Sequence, residues 1–268
     1  MSIVQALVLG VVQGISEFLP ISSSGHLILV PVLFGWDVQS QLFDIMVHVA
    51  TLVAVVIFFR TKLVRILKAL IQYRTSSPDR TLGIALIVAT VPAACIGFFF
   101  GDVIENAVRL PVYVALSLII GAIVLWSADR YHVTRVATPY EVKDMKISHA
   151  LVVGIAQVIA FIPGMSRSGM TIAAGLFQKF SRTAAAEFSF LMSIPVIALA
   201  GASAVRELVR SGVGETLSLS VLVVGFVSAA LSGLLSIWLT LAIVKKLSFA
   251  PFVVYRIIIG SVILYLFV

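Results

Sequence analysis

Six apolar segments constrain this chain more than anything else in it. Residues 42–60, 82–100, 112–128, 184–205, 218–244 and 249–267 are each about long enough to cross a bilayer as a helix. With 60% of residues hydrophobic, 12% charged and a mean hydropathy of +1.14, the composition excludes a soluble globular domain, a disordered chain and a coiled coil. It specifies an all-α polytopic membrane protein forming one integral membrane domain over residues 1–268. The net charge of +7 does not indicate a nucleic-acid partner, because the basic residues fall in loops between apolar spans. The single cysteine, Cys95, excludes an intrachain disulfide, a thiolate zinc site and a CxxC redox pair. The first charged residue is Glu17, so no basic n-region precedes the first apolar run and no cleaved signal peptide is expected.

Two further apolar regions are interrupted. Residues 3–35 contain Glu17, Pro20, Ser22-Ser23-Ser24, Gly25 and His26; residues 149–180 contain Pro163, Gly164, Ser166, Arg167, Ser168 and Gly169. Each reads as two short helices around a polar break, and a helix over 3–16 reaches only about 21 Å. Re-entrant helical hairpins suit these lengths better than crossings. Irregular polar backbone at membrane depth is tolerated only where protein or a water-filled cavity surrounds it.

The two broken regions are copies. A shift of 144 places Ala6, Leu7, Val8, Gly10, Gln13, Ile15, Ser22, Ser24 and Gly25 on identical residues, nine in a stretch of 20 positions. Three spans separate the copies, so the second is inverted relative to the first. The expectation is an inverted-topology repeat with six transmembrane helices and two re-entrant hairpins. Repeat 1 covers about 1–128, with its hairpin at 3–35. Repeat 2 covers about 149–268, with its hairpin at 149–180, and a cytoplasmic connection runs over about 129–148. Paired broken helices in inverted repeats point to a site near the membrane midplane.

With six spans, fourteen basic residues fall on one face: Arg60, Lys62, Arg65, Lys68, Arg74, Arg80, Arg130, Arg135, Lys143, Lys146, Lys179, Arg182, Lys245 and Lys246. Only Arg109, Arg206 and Arg210 fall in the opposite loops. The rich face is the cytoplasmic one by the positive-inside rule. The first hairpin then enters from outside, the second from the cytoplasm, and both termini lie outside.

Ionisable side chains within apolar segments are functional candidates by default. Gln13 and Glu17, four apart, share a helix face, and the carboxylate there suits a divalent cation or acid–base work. Ser22, Ser23, Ser24, Gly25 and His26 follow, combining hydroxyl nucleophiles, close backbone approach and a group that titrates near neutrality. The blander reading is a helix start capped by the serines. In the second break, Ser166, Ser168 and Gly169 open a helix whose N-terminal N–H groups suit an anion, with Thr171 in its first turn. Arg167 adds a planar fork matched to phosphate oxygens, or pairs with a carboxylate between the hairpins. Together the breaks suit a phosphorylated lipid, its head in a polar pocket and its tail between helices. Asp44 and His48, four apart on one helix face, read first as a structural pair and second as direct catalytic groups. Glu187 is expected to pair with Arg167 or Arg182 or to cap a helix, and Arg256 to snorkel to the cytoplasmic face. Walker A, Rossmann and HExxH motifs are absent.

The segments Gln13-x-x-x-Glu17-Phe-Leu-Pro-Ile-Ser-Ser-Ser-Gly-His26 and Pro163-Gly-Met-Ser-Arg-Ser-Gly-Met-Thr171 resemble the (E/Q)xxxE and PGxSRSxxT elements of the bacitracin-resistance family of undecaprenyl-diphosphate phosphatases. Ala185-Ala-Glu-Phe-Ser-Phe-Leu191 is also similar, and the resemblance runs essentially end to end. It implies hydrolysis of a C55 polyprenyl diphosphate to the monophosphate and inorganic phosphate, recycling the carrier for cell-wall synthesis in the bacterial inner membrane and giving bacitracin resistance. It implies catalytic roles for Glu17, His26 and Arg167, with Ser22, Ser23, Ser166, Ser168 and Thr171 around the phosphates. It also implies a divalent cation, Mg²⁺ or Ca²⁺, for which Glu17 and Gln13 are the candidate ligands. Gln13 stands where some members have Glu, which weakens a two-carboxylate site. A serine, a histidine or a water remains open as nucleophile, and Ser23 is the serine favoured. The second copy has Phe161 and Met170 where the first has Glu17 and His26, so the site is composite and is expected to open to the extracytoplasmic face. The rival reading is an inverted-repeat transporter or flippase. A homodimer is compatible with the sequence and not specified by it.

Overall fold

The computed structural model describes residues 1–72, 77–107, 110–211 and 218–268, so Arg74 and Arg109 of the loop tally lie outside the described residues. Eleven α-helices run through them. In chain order they are α1 (Ile3–Phe18), α2 (Ser23–Phe34), α3 (Gln41–Phe58), α4 (Arg60–Ile71), α5 (Pro78–Ala107) and α6 (Pro111–Arg135). After a 3₁₀ turn at Val142–Asp144 come α7 (Ile147–Ile159), α8 (Arg167–Phe177), α9 (Arg182–Ser211), α10 (Leu219–Lys246) and α11 (Ala250–Phe267).

Six helices, α3, α5, α6, α9, α10 and α11, are long and apolar enough to span a membrane. They coincide with the six segments expected from sequence, and the protein is a multi-pass membrane protein. The two broken regions form pairs of short helices as expected: 16 and 12 residues in α1 and α2, 13 and 11 in α7 and α8. One helix was not expected: α4 fills part of the basic loop after α3, where a high density of cations masks an amphipathic pattern.

Helix α9 is the most enclosed span, with 61% of its apolar window buried against 28–44% for the other five. Around it, α1 packs on α10, α7 on α5, α6 on α11 and α8, and α3 between α9 and α10. Gly10 of α1 lies against the backbone of Gly225 on α10, and Gly154 of α7 against the backbone of Ala89 on α5. A side chain at either would drive the helices apart; small residues let membrane helices approach closely. Outward-facing Leu7, Trp126, Leu231 and Val262 are exposed, as lipid-facing residues should be.

Candidate active site

Each break is built the same way. Ser22 (φ 78°) and Ser166 (φ 72°) both sit at positive φ, and each accepts a hydrogen bond at Oγ from the N–H three residues on, Gly25 at 3.3 Å and Gly169 at 3.0 Å. A non-glycine residue at positive φ costs on the order of 1–3 kcal/mol and persists only where its surroundings over-determine it. Both serines are buried, and each cap starts a helix whose first N–H groups lack intrahelical partners. Ser24 Oγ lies 3.4 Å from Ser22 Oγ, and Ser168 Oγ 3.2 Å from Ser166 Oγ. Gly164, at φ +95°, turns the chain into the second break. A Cβ there would collide with the carbonyl of Val114.

The fold brings the breaks face to face. Ser168 Oγ donates to the carbonyl of Leu19 at 3.1 Å. Arg256, fully buried on α11, donates through Nη1 to the Pro20 carbonyl of the first break (3.1 Å) and through Nη2 to Gly164 and Met165 of the second (both 3.0 Å). Its Nε donates to Leu118 on α6 at 3.1 Å. The snorkelling expectation for Arg256 is therefore wrong. Its guanidinium finds a dense set of carbonyls inside the bundle, from both helix breaks and from α6.

Between the breaks lies Glu17, 5% exposed. Its Oε1 accepts from Arg167 Nη2 at 3.0 Å. Its Oε2 accepts from Ser23 Oγ at 2.6 Å and from Gln13 Nε2 at 3.0 Å. Carboxylate, arginine and hydroxyl, which sequence placed on two hairpins, are in direct contact. Gln13 must present its amide N–H₂ to the carboxylate, so its Oε1 points away, and that oxygen is buried without a partner. Arg167 is steadied by a second donation, Nη1 to the Ser189 carbonyl at 3.1 Å; Thr171 Oγ1 donates to the Arg167 carbonyl at 2.8 Å and lies 2.7 Å from Ser189 Oγ. Phe18 stacks edge-on against Phe190 at 5.3 Å and fixes the end of α1 against α9.

His26 does not touch this cluster through any hydrogen bond. Its Nδ1 lies 2.7 Å from the Ser22 carbonyl, and its Nε2 2.7 Å from the hydroxyl of Tyr255, whose ring stacks on the imidazole. A carbonyl can only accept, so the proton sits on Nδ1 and Nε2 accepts from Tyr255. The Nε2 lone pair of His26 is thus engaged by Tyr255.

Two participants, Ser189 and Tyr255, were not expected from sequence, and a third, His48, has a contact beyond the expected one. His48 is more than half of a structural pair: its Nδ1 lies 2.6 Å from the Asp44 carbonyl, which directs Nε2 to within 3.6 Å of Glu17 Oε2. Four-residue spacing linked His48 to Asp44 but gave no sign of Glu17. Ser189 and Tyr255 carried only the weak signal of polar atoms in apolar spans. Glu187 pairs with Lys62 on α4 at 2.6 Å, and Arg182 with Asp129 at 2.6 Å; neither expected partner of Glu187 is the one it finds. Replacing His48 with Phe is expected to lower kcat about threefold to fivefold with KM little changed. This is the size of one partly exposed polar contact to a charge, roughly 1 kcal/mol, and steady-state kinetics on the folded variant checks it.

Known proteins point the same way as this geometry. Residues 6–262 match the family described as "Bacitracin resistance protein BacA". A protein of Campylobacter curvus named "Undecaprenyl-diphosphatase" is 44% identical over 274 residues, covering 100% of both chains. Proteins of the same name from Campylobacter concisus and Chromohalobacter salexigens are each 42% identical, covering 100% and 96% of both chains. The chain belongs to the bacitracin resistance protein BacA family.

Proposed function

We infer that this protein hydrolyses undecaprenyl diphosphate to undecaprenyl phosphate and inorganic phosphate, recycling the lipid carrier for bacterial cell-wall synthesis and conferring bacitracin resistance. The observation that carries the chemistry is the Ser23–Glu17–Arg167 contact. A hydroxyl donates to a buried carboxylate whose other oxygen faces a guanidinium, beside two capped helix N-termini suited to phosphate.

Ser23 is the nucleophile this arrangement favours. Its Oγ attacks the terminal phosphorus and gives its proton to Glu17. The bond from that phosphorus to the bridging oxygen breaks, and undecaprenyl phosphate leaves. Glu17 releases that proton to solvent with the departing phosphate and then takes one from the attacking water as its oxygen bonds phosphorus; the phosphorus–Oγ bond breaks, Glu17 hands the proton to Ser23 Oγ, and inorganic phosphate leaves. Arg167, Ser166, Ser168, Gly169 and Thr171 from one break, with Ser22, Ser24 and Gly25 from the other, surround the diphosphate. His26 completes the site as an acid–base group held by Tyr255.

A divalent cation, Mg²⁺ or Ca²⁺, suits the oxygens present. Glu17 would hold it; Gln13 Oε1 faces away from that carboxylate and would join only after its amide turned over. Among the described residues no group of three or more His, Cys, Asp or Glu side chains forms a complete cage, so diphosphate oxygens and water would fill the remaining positions. When bound it neutralises charge on the diphosphate.

The chain is further read as two inverted copies, about 1–128 and 149–268. The nine identities support this reading, as do the shared positive φ and shared cap of Ser22 and Ser166. Bias of the basic loops supports a location in the bacterial inner membrane with the site opening to the extracytoplasmic side.

Purified protein in detergent, given undecaprenyl diphosphate, should release phosphate with Mg²⁺ or Ca²⁺ and stop on chelation. Folded protein that releases none with any divalent cation would refute the activity; release undiminished by chelation would remove the cation.

A further inference from the structure

Helix α4 has three faces, and only one is explained by the protein. Ile66 is buried, and with Leu70 it lies against Gly83 of α5; Lys62 on the same side is tied to Glu187 of α9. A second face, at i, i+3 and i+7, carries Val64, Leu67 and Ile71, exposed by 50%, 58% and 78%. The third carries exposed Arg65 and Lys68; exposed Arg60 heads the apolar stripe at the helix start, where its long side chain can reach up to the headgroups, and donates through Nη1 to the Ile57 carbonyl at 3.2 Å. At 12 residues α4 reaches only about 18 Å, too short to cross a bilayer, and it is not among the six apolar spans. A single residue, Phe59, joins it to the end of the membrane-spanning α3, so it lies at the membrane surface.

We propose that α4 is an in-plane membrane helix that docks on anionic lipid headgroups. Val64, Leu67 and Ile71 enter the acyl boundary, and Arg60, Arg65 and Lys68 bind the negatively charged heads above them. Apolar and basic stripes side by side, on a helix held at the interface by its third face, fit an anionic bilayer surface better than water. Arg65 lies 3.8 Å from Asp79, an exposed contact that leaves guanidinium donors for a phosphate. A zwitterionic surface would satisfy the apolar stripe but not the three cations.

The test uses full-length protein carrying Cys95→Ser, with an environment-sensitive fluorophore at Leu67→Cys or, as aqueous control, at the exposed loop residue Lys143→Cys. In nanodiscs containing phosphatidylglycerol, iodide should quench the Leu67 probe at least threefold less than the control, and lipid-borne quenchers should reach it. Equal iodide quenching at both positions overturns the in-plane placement. Native mass spectrometry of the Arg60→Gln/Arg65→Gln/Lys68→Gln variant should show the ratio of retained phosphatidylglycerol to phosphatidylcholine falling at least threefold. An unchanged ratio overturns the anionic preference. Disulfide-linked dimers forming through unlabelled Leu67→Cys would mean that a second copy covers this face, which also overturns the proposal. All the substituted positions are exposed, and near-normal phosphate release confirms that the variants are folded.

Discussion

Glu17→Gln should lower phosphate release from undecaprenyl diphosphate by about 10²–10⁴-fold, the range for loss of a positioned general base. The amide is close in size and shape to the carboxylate, so packing against Phe18 and α9 is kept. What disappears is the acceptor for the Ser23 proton and the negative charge that holds Arg167 at 3.0 Å. The amide N–H₂ would also face one of three donors now directed at Glu17: Gln13, Ser23 or Arg167. Loss should therefore fall on kcat, with the protein still folded by circular dichroism and gel filtration. Turnover within threefold of wild type would remove Glu17 from proton transfer and return the serine mechanism to the alternatives of water or His26.

The second large effect concerns stability. Arg256→Lys should destabilise the protein by on the order of 4 kcal/mol, several times the net worth of one hydrogen bond, because buried carbonyls left unpaired cost about 1–3 kcal/mol each. Lysine keeps the charge but is a point donor; it cannot reach Leu118, Pro20, Gly164 and Met165 from one planar fork. At about 2–4 °C per kcal/mol, the melting temperature in detergent should fall by about 10 °C. Activity should fall with it, since Pro20 and Met165 flank the two strained serines. An unchanged melting temperature would show that the breaks hold their geometry without this residue.

The spans and the pairs of short helices were legible in the sequence because their signal is local. An uninterrupted apolar run can only be buried or face lipid, and Ser-Gly-rich breaks within such runs cannot continue a buried helix unaided. The candidate site was legible as a set of residue types, because Glu17, His26 and Arg167 are too costly in an apolar setting to be incidental. Their pairing was less so. Glu17 and Arg167 are 150 positions apart, and the alternatives of an anion clamp and an inter-hairpin ion pair turn out to describe the same arginine. Arg256 was misread because its partners are backbone carbonyls, which carry no side-chain signature. Helix α4 was missed because three of its four cations sit on exposed flanks and hide the stripe formed by Val64, Leu67 and Ile71. His48 meets Asp44 as its spacing suggests, but its approach to Glu17 was hidden because helical spacing reveals neighbours on one helix and nothing about the helix opposite.

Whether both breaks form one composite centre is decided by a double-mutant cycle across them. Phosphate release from radiolabelled undecaprenyl diphosphate would be measured for wild type, Glu17→Gln, Arg167→Gln and the double variant. Groups that act as one unit lose function non-additively. With a shared centre, the double variant is expected to be no more than about threefold worse than the poorer single one. Losses that multiply, with each residue contributing independently of the other, would contradict a shared site.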